Sequence, residues 1–164
     1  MASQKKSAAD STGAQSVLEY RLGRITVEEF HLHRPKIEFK LEDTGNILDF
    51  GISPSIATAN DNSAVNVGLT IICKVRETQE EFCSISASFL IHCRMVVERV
   101  SLQDVLTATP LLKAQLISIA YSTLRGILHE RGRGTLLEFE PLPTISPSTF
   151  LSPVRIDGVT SVKL

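Results

Sequence analysis

His31 and His33 are the closest pair of histidines in the chain. Two residues apart on a strand, they share a face and could ligate one metal ion, with Cys93 or Glu29 as further donors. No paired cysteine spacing accompanies them, so the reading kept is a solvated strand face with no metal and no cofactor. Cys73, Cys83 and Cys93 recur every ten residues on segments that read inward. They look like small buried apolar residues. An odd, sparse cysteine count is no disulfide framework and fits a reducing compartment. His92 adjoins Cys93, but neighbouring strand residues face opposite sides, so they form no local thiol–base couple.

The chain has no phosphate loop, dinucleotide fingerprint or nucleophile elbow. Gly132-Arg133-Gly134-Thr135 follows a helix instead of preceding one, and a helix C-terminus is the wrong end for phosphate. Arg125, His129, Arg131 and Arg133 form a basic cluster at that end. It lacks interleaved aromatics, so it reads as complementing the helix dipole and keeping the face soluble, not as an RNA site. No convergent catalytic set emerges, and the chain is read as a non-enzyme.

The elements that must position these residues are strands first and one long helix afterwards. In Arg24–His33 the apolar parity flips between Val27 and Phe30. A single core face survives only if an extra residue intervenes, which predicts a β-bulge at Glu28-Glu29. Lys36–Glu42 alternates as a half-buried strand. Ile47–Ala57 is extended, and Pro54 suits an edge or a crossover. Val65–Arg76 and Cys83–Cys93 alternate cleanly around a Glu77–Glu80 turn and predict a long antiparallel hairpin. Thr109-Pro110 opens a helix as N-cap and first residue, and Gly132 closes it. Two apolar rows give that helix a broader apolar face than one sheet contact requires. The layout is α+β: a helix layer against an antiparallel sheet. Residues 1–16 read as a disordered tail, 17–151 as one domain and 152–164 as a C-terminal tail.

The chain has 164 residues, 43% hydrophobic, enough for one domain with a sizeable core. Its net charge of −1 excludes nucleic-acid binding through bulk charge. That neutrality is a cancellation: residues 19–61 carry −3 and residues 94–134 carry +3. No stretch approaches the roughly 20 apolar residues of a membrane span, and no signal sequence is evident, so a soluble cytoplasmic protein without membrane insertion is expected.

Tyr121–Leu151, YSTLRGILHERGRGTLLEFEPLPTISPSTFL, resembles the helix-and-exit segment of the SecB family of protein-export chaperones. ITVEEFHLHRP resembles the family's first strand with its acidic pair, and RETQEEFCSISASF its central hairpin. With spacing adjusted, the similarity extends over roughly Leu22–Leu151. The resemblance implies a four-stranded antiparallel sheet with one long helix packed beside it, and a homotetramer built as a dimer of dimers. It further implies ATP-independent holding of unfolded client protein in apolar grooves, for export or for a dedicated partner such as an antitoxin. Phe30, Phe50, Ile52, Phe82, Phe89 and Phe139 are then the candidate client-binding residues, and Glu28 and Glu29 the candidate acidic partner-binding face. His33 and Ser84 stand where other family acids would be. Pro147, Pro153 and the 154–164 segment replace the family's C-terminal helix and zinc-mediated motor contact, so a dedicated partner fits at least as well as export. The competing expectation is a structural or adaptor subunit that uses the same fold to bind one folded protein.

Overall fold

The computed structural model describes residues 18–33, 47–95 and 100–151, and the backbone of 159–162. The elements are β1 (Leu18–Leu32), β2 (Leu48–Thr58), β3 (Ala64–Val75) and β4 (Glu81–Met95). They continue as α1 (Leu102–Ala108), α2 (Pro110–Arg131), α3 (Leu136–Phe139), a 3-10 turn at Pro147–Leu151, and β5 (Val159–Val162). The expected strand at 36–42 and the 1–16 tail lie outside the described residues.

The sheet order is β1-β4-β3-β2-β5. The first four strands pair antiparallel, as the alternation requires. β5 adds a short parallel strand on β2, which the mixed 154–164 segment did not announce. In the β3–β4 hairpin every odd residue from Val65 to Val75 faces the core and is buried, and so are Cys83 to Cys93 on β4. The turn closes with Gln79 in the left-handed region. A register shift after Cys73↔Cys83 makes Phe82 an extra residue, and it too is buried.

The predicted bulge in β1 is present: Val27 pairs with Ala87 and Glu29 with Ser86, leaving Glu28 unpaired. A second shift lies between Leu22 and Ile25. Each extra residue restores parity. As a result Tyr20, Leu22, Ile25, Val27, Phe30 and Leu32 all stand opposite inward-facing residues of β4. The opposite face of the sheet is small and polar, with Ser84, Ser86, Ser88 and Thr70 in its centre. There the Thr70 and Ser86 hydroxyls hydrogen-bond at 3.0 Å.

α2 starts at Pro110 as expected, but Thr109 makes no side-chain cap bond. Its backbone N–H instead terminates α1 on the Val105 carbonyl, so one residue joins two helices. α1 was missed; Ser101 caps it by accepting from the Asp104 N–H at 3.1 Å. α2 lies over β2, β3 and β4 and buries Leu116, Ile117, Ala120, Leu124 and Leu128. Much of the breadth of its apolar face is used within the chain. The return segment packs Leu142, Ile145 and Phe150 into the same core. It is anchored by Tyr121, whose hydroxyl donates to the Pro143 carbonyl at 2.8 Å and whose ring meets Phe150 at 6.0 Å. Arg125 Nε donates to the Leu142 carbonyl at 2.7 Å.

Candidate functional site

The sheet is covered unevenly. α2 meets β1 at its last turn, where the Arg131 guanidinium sits 5.2 Å from the Phe30 ring centroid. The rest of the helix-side stripe of β1 is partly open: Tyr20 is 43% exposed, Ile25 39% and Leu32 39%. β1 is an edge strand, so one flank of this stripe has no neighbour among the described residues.

At the end of the stripe lies a cleft of about 540 Å³ lined by Leu32, His33, Phe82, Gly134, Thr135, Leu136 and Phe139. Its far wall is built locally. Thr135 Oγ1 caps α3 by accepting from the Leu137 N–H at 3.3 Å. Gly134 has φ +75°, a left-handed turn that favours glycine. Its N–H donates to the Glu138 carboxylate at 2.6 Å. Phe139, at the end of the helix this turn opens, is 52% exposed and lines the same cleft as Leu32. His33 is pinned by its N–H, which donates to the Phe82 carbonyl at 2.8 Å.

The structure sorts the six apolar candidates. Phe82 and Phe139 line the cleft, and Phe30 is half-buried on the stripe beside it. Phe50, Ile52 and Phe89 are closed into the core and present no side chain to a client in this state. Each sits at an inward position of a strand lying under α2, and the helix covers it. Glu28 and Glu29 are exposed at the bulge. Glu29 stands opposite Ser86 and so lies on the polar face, away from the cleft.

The other chemical candidates disperse. His31 approaches Glu29 at 4.0 Å, with both side chains mostly exposed. Among the described residues no group of three or more His, Cys, Asp or Glu is placed to hold a metal. Cys73 and Cys83 face each other across β3 and β4. Their mutual sulfur hydrogen bond, then burial, pushes the Cys73 thiol up. Burial likewise raises Cys93. A raised thiol is a poor nucleophile, which suits a packing role. The three arginines of the basic cluster have local partners: Arg125 the Leu142 carbonyl, Arg131 the Phe30 ring, and Arg133 the Glu130 carboxylate at 2.7 Å.

Sequence reasoning missed Glu140. Its carboxylate accepts from the Ile47 N–H at 2.8 Å and from the Leu48 N–H at 3.2 Å. It is nearly buried and ties the exit of α3 to the start of β2. Its partners lie over ninety residues away, so no local pattern could reveal it.

With this geometry in view, comparison with solved structures finds a likeness to the SecB-like chaperone Rv1957 of Mycobacterium tuberculosis. That protein was solved in complex with a ChAD peptide from the antitoxin HigA1. The TM-score is 0.50 at 16% identity, over 77% of this chain and 88% of that one. The likeness shows a SecB-like fold. A protein of unknown function from Streptococcus agalactiae aligns over 80% of this chain at 14% identity and TM-score 0.30. No family model matches the chain, and no curated protein matches it. Among the described residues no helix is long and apolar enough to cross a membrane.

Proposed function

We propose that this protein is an ATP-independent holdase that binds unfolded or partly folded client protein along the open stripe of β1 and in the cleft at its end. The observation that carries this reading is the partly open apolar stripe itself, with Leu32 and Phe139 both exposed in the lining of one cleft. Partly exposed apolar side chains on an edge strand offer a surface that tolerates many sequences, while the strand backbone can add hydrogen bonds. The fold likeness supports it, since the SecB-like neighbour holds an antitoxin peptide. In this reading the chain works in the cytoplasm as a homotetramer, a dimer of dimers, and serves a dedicated partner in preference to general export. Glu28 and Glu29 offer a separate acidic face for that partner.

The test is aggregation of a chemically unfolded model protein, followed by light scattering without ATP. The wild type suppresses aggregation near one tetramer per client. Leu32→Asp and Phe139→Asp, both at exposed positions, weaken suppression at least about fivefold while leaving the unfolding midpoint nearly unchanged. No suppression at any ratio, together with co-purification of one stoichiometric folded protein, would transfer the case to the adaptor reading. Static light scattering measures the native mass directly.

A further inference from the structure

β2 carries Pro54 inside the strand, paired with Leu69 of β3. Proline has no N–H, so a strand admits it where that position faces away from the paired neighbour. By the two-residue period, the N–H groups of Leu48, Phe50 and Ile52 point toward the same edge. The Glu140 carboxylate confirms the direction, because it takes the Leu48 N–H from outside the sheet. The β2 edge is therefore bounded in its donors: a carboxylate takes the N–H at one end and a proline offers none at the other. Between them Phe50 and Ile52 present the free main-chain groups, a window for one short extended segment.

β5 fills that window. Its register is Phe50↔Val159, Gly51↔Ser161 and Ile52↔Val162, with a break between Phe50 and Gly51. The ladder is short, interrupted and parallel, which is the weaker pairing per residue. Its sequence, Val-Thr-Ser-Val, is uncharged and rich in β-branched residues, the kind that suits an added strand. A brief ladder held by few hydrogen bonds is one that another strand can replace.

We propose that the β2 edge between Leu48 and Pro54 is a strand-addition slot, and that residues 159–162 hold it as an internal competitor. An incoming extended, uncharged, β-branched segment displaces them and binds in parallel. That this segment belongs to a client rests on the holdase reading; the slot and its self-occupancy do not. The main chain of Phe50 and Ile52, whose side chains are buried, thereby becomes a binding element.

The test uses the full chain and a fluorescent peptide of its own residues 156–164. In a parallel ladder the residue facing Gly51 bonds to the groups of Phe50 and Ile52, so Ser161→Pro removes the donor that β5 supplies there. Fluorescence anisotropy should show S161P binding the peptide at least about tenfold more tightly than wild type. The same peptide carrying proline at position 161 should bind neither. Amide exchange at Ile52 should quicken in S161P and slow again when peptide is added. Equal peptide binding by wild type and S161P, or unchanged Ile52 exchange, would overturn the proposal. Aggregation suppression is read in parallel: if neither protein suppresses, the holdase reading fails, while the peptide result still decides the slot.

Discussion

β1 and β3 turn apolar residues toward the same side of one sheet, yet β3 is sealed and β1 is not. From Val65 to Val75 the inward residues of β3 are all buried, whereas Tyr20, Ile25 and Leu32 of β1 remain partly open. Composition does not separate them. The difference is position: β3 lies beneath α2, and β1 is an edge strand at the rim of the sheet. The same alternation is thus core in one strand and candidate binding surface in the other.

The sharpest way to break this comparison is to truncate facing residues of the two kinds. Ile25 stands directly opposite Phe89. Phe89→Ala should cost about 3–5 kcal/mol of unfolding free energy in urea, because it empties a closed core. Ile25→Ala should cost less than half as much, since water already reaches that side chain. Similar losses for both would mean that β1 is covered in solution, by a second copy or by another segment.

Next in size is the bond that anchors the start of β2. Glu140→Ala strips the acceptor from the Ile47 and Leu48 amides and should cost about 1–3 kcal/mol. Amide exchange should quicken at those residues more than in the β3–β4 hairpin. Uniform change across the sheet would argue against a local anchor.

Smaller still is Arg131→Ala, which removes a cation from the Phe30 ring. It should cost about 0.5–1 kcal/mol. It should also open the stripe further, raising the binding of an apolar fluorescent dye. A fall in dye binding would reverse the assigned role of Arg131 as a partial cover.

The smallest effect concerns the turn that joins β2 to β3. Hydrogen bonds from the backbone N–H and hydroxyl of Ser63 hold the Asp61 carboxyl below its ordinary 3.8. A lowered folded-state value contributes stability above pH 3.8, and that contribution is lost as pH falls through the lowered value. Asp61→Asn should therefore differ slightly from wild type at neutral pH and converge with it in acid. Any pH-independent difference would point to the Asn side chain itself.

The hairpin, the long helix and the bulge at Glu28 were legible because each rests on local periodicity. The first bulge was legible too: Gly23 interrupts the β1 pattern, and a glycine inside a strand is a bulge signal that went unused. So was α1, through the Ser101…Asp104 capping pair. The cleft was half legible. Phe30, Phe82 and Phe139 could be picked as apolar candidates, but nothing local distinguished them from Phe50, Ile52 and Phe89. Burial depends on what crosses over a strand, and that is a long-range fact.

The sequence alone determined which face of β3 and of β4 is apolar, where the helix begins and ends, and that the three cysteines point inward. These follow from side-chain alternation and helix-end chemistry, which act over a few residues. Tertiary structure alone decided which apolar faces stay open. The placement of α2 over three strands leaves β1 at the rim, Glu140 reaches across the fold to β2, and β5 returns to its edge. Each is a contact between distant parts of the chain, fixed by how the layers pack and not by the residues that neighbour it in sequence.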